Sequence, residues 1–171
     1  LSCPADAMTL RAFLRPTVAP LTAEARECLA RTIHEAYRQQ RAREASPDLG
    51  EWETLPGTLK ASNAQQADDM LAKLERVGCQ AVAVTGRNIA LMTFSGAEVE
   101  VMAEMEHGRW TLERLRDGWR WGPKKDIDRK VSPYLVGWDE LPEDVREWDR
   151  EAVRAIPAIL ARVGLEVRRI V

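Results

Sequence analysis

Apolar residues return every four positions at Leu29, Ile33 and Tyr37, the spacing of one helix face. Thr22 is placed to cap that helix and Glu24 lies in its first turn. A helix is therefore expected over about Ala23–Arg43. The stretch Glu44–Lys60 holds Pro47, Gly50, Pro56 and Gly57 and predicts a loop, with Leu49, Trp52 and Leu55 as inward anchors. Ser62-Asn63-Ala64-Gln65 fits a capping box, so a second helix is expected from there to about Val77, with Ala67, Leu71 and Leu74 inward and Gly78 as its stop. From Gln80 to Phe94 the pattern alternates through Val82, Val84, Ile89 and Leu91 around Thr85-Gly86-Arg87-Asn88. This predicts a small hairpin, although Val/Ala runs also suit a buried helix.

Ser95-Gly96-Ala97-Glu98 is another capping-box pattern and opens a helix to about Arg116, ending near Gly118. The following Trp119–Leu135 is irregular, basic and aromatic. Pro142 suits the first turn of a further helix through Trp148, Ala152 and Ile156. Pro157 should kink or split that helix, because it has no N–H and its ring clashes with the preceding turn. Gly164 stops it, and Glu166–Val171 predicts a closing strand. Residues 1–21 contain Pro4, Pro16 and Pro20 and read as a linker with one short helix, Ala7–Leu14.

An ordered self-similarity runs through this pattern. Residues 29–37 align with 102–110 at an offset of 73, pairing His34 with His107 and Tyr37 with Trp110. Further on the offset is 86: Trp52 pairs with Trp138, Leu55 with Leu141, Asn63 with Asp149, and Leu74–Gly78 with Leu160–Gly164. Each unit then reads helix, Trp-anchored loop, helix, Gly, strand. The domain organisation expected is an extension over 1–21, one unit over 22–94 and a second over 95–171.

The second unit carries His107-x-x-Trp110, Gly118-Trp119-x-x-Gly122, a basic stretch, Ser132-Pro133-x-Leu135-Val136-x-Trp138-x-x-Leu141-Pro142, Asp149-Arg150 and Ile156-Pro157. This string resembles the RyR domain, the repeat of ryanodine receptors that also occurs in bacterial proteins. The resemblance covers about 97–166, with a degenerate copy at about 24–80 that lacks the Gly-Trp-x-x-Gly element. Ser132 stands where the family carries His. The resemblance implies a mainly alpha fold with short beta strands, built as two pseudo-repeated RyR-like helical units packed together. It also implies regulation rather than catalysis: a ligand-sensing or interaction module.

Composition narrows the classes. The 171 residues are 45% apolar and 30% charged with a net charge of −2, which suits a globular chain and gives no basic excess for nucleic acid. No run of 18 apolar residues exists to span a membrane. Cys3, Cys28 and Cys79 are too few and scattered for a zinc knuckle or disulfide framework. Cys28 and Cys79 lie among apolar periodic residues and are expected as buried free thiols, in keeping with a reducing, cytoplasmic setting. A chain beginning at Leu1 is expected to belong to a larger parent protein.

Two places could hold a ligand. Glu106, Trp110 and Arg114 share one helix face. A buried carboxylate there needs a partner, expected to be Arg114 or a loop cation. It is either a structural ion pair or the floor of a pocket. The stretch Trp119–Lys130 has five basic residues, including Lys124, Lys125, Arg129 and Lys130, against Asp126 and Asp128. Cations bind phosphate and an exposed indole stacks on a base, so a nucleotide, another phosphorylated small molecule or a phosphopeptide would fit; a merely solvated face has the same composition. Trp119 is the expected core anchor and Trp121 the contact residue. His107 pairs with His34, which argues for a repeated structural hydrogen bond. Trp52, Trp138 and Trp148 are expected to fill gaps between helices and loops. Nothing groups a nucleophile, base and electrophile, so neither an enzyme nor a metal site nor a cofactor is expected. A homodimer or a docking partner fits the alternative, a scaffolding domain without a small ligand.

Overall fold

The computed structural model describes residues 23–43, 50–84 and 91–170. The proposed Ala7–Leu14 helix, the Thr22 cap, Leu49, Cys3 and the turn at 85–88 lie outside them. In chain order the elements are α1 (Ala23–Arg43), a 3-10 turn at Trp52–Thr54, α2 (Gly57–Arg76), β1 (Cys79–Ala83), α3 (Gly96–Arg116), β2 (Arg120–Trp121), β3 (Val131–Ser132), a second 3-10 turn at Trp138–Glu140, α4 (Glu143–Arg154), α5 (Ile156–Arg162) and β4 (Leu165–Arg169). The fold is mainly helical with short strands. It falls into two compact units, the described parts of Leu1–Thr93 with Ala155–Val171, and Phe94–Arg154.

In the first unit α1 buries Ala25, Cys28, Leu29, Ala30 and Ile33, and α2 buries Ala67, Met70 and Leu74. The α1 stripe stops at Ile33, because Tyr37 is exposed. The α2 face runs through Met70, with Leu71 at its half-buried margin. Each fully buried leucine contributes roughly 1.5–3 kcal/mol, so Leu29, Leu74 and Leu160 anchor this core. The second helix begins at Gly57, five residues before the expected capping box. Pro56 sets its start, since its carbonyl accepts from Leu59 and Lys60 at 3.0 and 3.1 Å. Ser62 and Gln65 are therefore helix interior, and Asn63 Nδ2 donates back to the Leu59 carbonyl at 2.9 Å.

The expected hairpin is replaced by a long-range pair. β1 runs antiparallel to β4, with Ala81 opposite Val167, and residues 91–95 are not strand. Val84 N donates to Gly164 O at 3.0 Å and Ile170 N to Gly78 O at 2.8 Å, closing the pair at both ends. Alternation announces a strand but not its partner. A second correction concerns Cys28, which is buried yet disulfide-bonded; Cys79 is the buried free thiol. Apolar periodicity marks burial and is blind to oxidation state, so the cysteines do not argue for a reducing compartment.

In the second unit Ser95 caps α3 with a complete capping box: its hydroxyl accepts from Glu98 N, and Glu98 Oε2 accepts from Ser95 N at 2.8 Å. α3 buries Val99, Met102 and Ala103, and α4 buries Val145 and Val153. The expected break at Pro157 is present, with α4 ending at Arg154 and α5 starting at Ile156. Trp148 does not fill a gap: it is 57% exposed and meets Tyr134 edge-on at 5.8 Å. It lies on the outer side of α4, three residues on from buried Val145.

Candidate functional site

The second unit brings the predicted helix-face residues together, but with different partners. Glu106 is buried, and its partner is Arg109, one turn on, rather than Arg114. Arg109 Nη2 donates to Glu106 Oε1 at 2.5 Å and Nε reaches both carboxylate oxygens at 3.1 and 3.2 Å. Its Nη1 donates to Glu113 at 2.8 Å. Burial opposes the Arg109 charge, and the hydrogen bonds and charges of Glu106 and Glu113 overcome it, raising the group above its ordinary value. Glu106, Arg109 and Glu113 thus form an ion-pair network along α3.

Arg114 is thereby released to the aromatic residues. Its guanidinium carbon lies 5.8 Å from the Trp110 ring centre and 5.2 Å from that of Trp119, within cation–π range of both. Trp110 stacks on His107 at 5.8 Å and 24°, and Trp138 tilts against the other side of the network at 6.0 Å. His107 is buried and its Nε2 lies 2.9 Å from the Val136 carbonyl. A carbonyl only accepts, so Nε2 carries the proton. Nδ1 faces Asp149 Oδ2 at 3.7 Å. The imidazole is thus engaged on both edges and pins the 130s loop to α3.

The loop itself divides into a structural and an open part. Gly118 has φ +82°, which lets the chain leave α3. Asp117 then gathers the loop: Lys130 Nζ donates to its carbonyl at 2.7 Å and to its carboxylate at 3.1 Å, and Trp119 Nε1 donates to the carboxylate at 3.0 Å. The Lys130 hydrogen bond, then that of Trp119, holds the Asp117 carboxyl below the usual range. Lys130 is therefore a clamp, not a spare cation. β2 pairs in parallel with β3 over two residues, and Gly122 N donates to Ser132 O at 3.2 Å. Ser132 is buried and its hydroxyl accepts from Tyr134 N at 3.2 Å, a local turn role that needs no imidazole.

The open part is Trp121, 59% exposed, with Lys124, Lys125 and Arg129. Both lysines are exposed and pair with no carboxylate among the described residues. Arg129 reaches Asp126 only at 3.8 Å. Arg120 is exposed as well, so alternation does not separate it from Trp121. Trp119, expected in the core, is half-buried under Arg114.

The decisive comparison is with protein families. The RyR domain model matches residues 82–169, just over half of the chain. The chain belongs to the RyR domain family. The match includes the His107/Trp110 pair, the Gly118–Gly122 element and the Trp138 turn described above.

Sequence reasoning missed Arg109 and Asp117 of this RyR domain, and the role of Arg150. Arg109 sits at i+3 from Glu106, a spacing as favourable as i+4. Arg150 forms a hub with Glu100 at 2.7 and 2.8 Å, Glu143 at 2.5 Å and Glu147 at 3.3 Å, and those hydrogen bonds raise it above the ordinary arginine value, Glu100 contributing most. Asp117 reads only as a helix end. Among the described residues no group of three His, Cys, Asp or Glu is arranged to hold a metal, and no helix is long and apolar enough to cross a membrane.

Proposed function

We propose that this RyR domain is a non-enzymatic regulatory module of a larger protein, binding a phosphorylated or nucleotide-type small molecule through its second unit. The observation that carries the reading is the exposed Trp121 indole on the same loop as Lys124 and Lys125, which pair with no carboxylate among the described residues. An indole in water has an open π-face, and unpaired ammonium groups lose no partner when they take a phosphate. Trp110, Arg114 and Trp119 form the aromatic wall beside it in sequence, with Glu106 and His107 as its fixed floor. Arg129 would add charge, and Lys130 would shape the loop.

The proposal includes a paired origin for the two halves, 22–94 and 95–171. Its support is the element bounds. α1 and α3 run from 23 to 43 and from 96 to 116, an offset of 73; the 3-10 turns, α2 against α4 with α5, and β1 against β4 all sit at an offset of 86. His34 Nε2 lies 2.9 Å from Gly50 O, as His107 Nε2 does from Val136 O.

A thermal-shift panel of nucleotides, cyclic dinucleotides, phosphosugars and phosphopeptides tests the reading. A ligand that binds only the native state raises its melting temperature. The expected result is a dose-dependent rise of several degrees for one class, absent in a folded Trp121→Ala/Lys124→Ala variant. A flat panel at millimolar concentration overturns it. The second reading, a scaffolding surface, is favoured by Leu112 and Leu115, exposed one turn apart on α3. It predicts a concentration-dependent mass and a flat panel.

A further inference from the structure

The first unit holds an open groove of about 620 Å³ beside Trp52, lined by Arg26, Glu27, Arg31, Glu53 and Lys60. None of the residues discussed above as a ligand site lies in it. Its volume is within the range of small-molecule sites. We infer that this groove is a separate binding site for a phosphate monoester with a planar body, of the nucleoside monophosphate class.

The corresponding place in the other half is filled. There Arg150 and Arg146 lie over the Trp138 ring at 5.9 and 6.0 Å, and Arg150 is held by Glu100, Glu143 and Glu147. At the offsets above, Arg150 corresponds to Ala64, Glu147 to Ala61 and Glu143 to Gly57. The guanidinium and two of its three carboxylates are gone, and Ala61 and Ala64 line the space they leave. The charge has changed too. Three cations face two carboxylates in the groove, whereas the matching positions of the other half carry Arg146 and Arg150 against Glu100, Glu104, Asp139 and Glu147. This comparison rests on the paired reading of the two halves; the groove's volume and cations do not.

The cations are available. Lys60 pairs with no carboxylate among the described residues; its Nζ reaches the Glu53 carbonyl at 3.3 Å and lies 5.8 Å from the Trp52 ring centre. Arg31 bonds Glu27 at 2.9 Å and Glu53 at 2.8 Å, and Arg26 bonds Asp68 at 2.6 Å. Those carboxylates are about half exposed, so solvent screens their hold on the guanidiniums, and a dianionic phosphate can compete with them for Arg26 and Arg31 beside Lys60. Trp52, half-buried against His34 at 6.0 Å, carries Arg31 and Lys60 over its ring at 5.4 and 5.8 Å, and the planar Arg31 guanidinium held there offers a stacking face for a planar body.

Calorimetric titration of the full chain with AMP at low ionic strength tests this, with adenosine as the phosphate-free control. The expected result is saturable AMP binding, at least tenfold weaker for adenosine. Lys60→Glu and Ala64→Leu should each weaken AMP at least tenfold. Ala64→Leu keeps a strong helix former and fills the groove without touching charge, so it decides the matter should Lys60→Glu fail to fold. No saturable heat at millimolar AMP overturns the inference. So does AMP binding that Trp121→Ala abolishes and Ala64→Leu spares, which would place the ligand in the second unit and leave the earlier reading standing.

Discussion

The His107 imidazole donates Nε2–H to the Val136 carbonyl at 2.9 Å across 29 residues of chain. That bond assigns the tautomer and removes Nε2 from any role as a base. Replacing His107 with Phe keeps the ring against Trp110 and Trp138 but leaves a half-buried acceptor unpaired. The expected cost is about 1–3 kcal/mol, read by urea denaturation, with the fold retained by circular dichroism. A nitrogen-15 spectrum showing a protonated Nδ1 and a bare Nε2 in the wild type would contradict the assignment.

Glu106 and Arg109 are both largely buried, so each depends on the other. Arg109→Met takes the bidentate cation from a buried carboxylate and should cost about 3–5 kcal/mol. Adding Glu106→Gln to it removes that carboxylate's charge, so the double variant should be more stable than Arg109→Met. A double variant as unstable as the sum of the singles would show that the two side chains act independently.

The same pair shows what the sequence made legible. Period, capping and turn chemistry act locally, so α1, α3 and the split at Pro157 followed from neighbouring residues. Burial of Glu106 was expected from the alignment of residues 102–110 with 29–37, where Ile33 is apolar and buried. Its partner did not, because i+3 and i+4 cations compete and only geometry decides. The pairing of β1 with β4 is set by a return of the chain some 80 residues later, which alternation does not encode. The Trp52 groove was invisible for another reason: it is made by small residues, Ala61 and Ala64, and absent bulk leaves no pattern. Trp148 was misplaced because residue size was taken for burial.

Asp117 makes the basic loop sensitive to acid. Its carboxyl is held below the usual range by Lys130 and Trp119. A depressed carboxyl contributes stability that is complete above its unfolded value of about 3.9 and is lost as pH falls through the lower folded value. Asp117→Asn should therefore lower the melting temperature at pH 7, and the gap from wild type should narrow as the pH falls below the unfolded value. The Trp119 indole N–H resonance should move over the same window. A gap that is constant with pH would mean that Asp117 acts through neutral hydrogen bonding alone.

Gly122 explains the second glycine of the Gly-Trp-x-x-Gly element by close approach. A Cβ built there would lie 2.4 Å from Val131 Cγ1, far inside van der Waals contact. Val131 is β-branched and cannot swing its methyl away freely, so Gly122→Ala must push β2 off β3 and strain the Gly122–Ser132 hydrogen bond. Overpacking of this kind costs about 1–3 kcal/mol. Val131→Ala deletes the offending methyl, so Gly122→Ala/Val131→Ala should regain most of the loss, leaving a coupling of about 1 kcal/mol or more. Because Lys124 and Lys125 lie between these strands, hydrogen exchange of residues 123–130 should quicken in Gly122→Ala and return in the double variant. Unchanged exchange in Gly122→Ala would mean that the two-residue pairing does not set the loop's shape, and that the Asp117 clamp holds it alone.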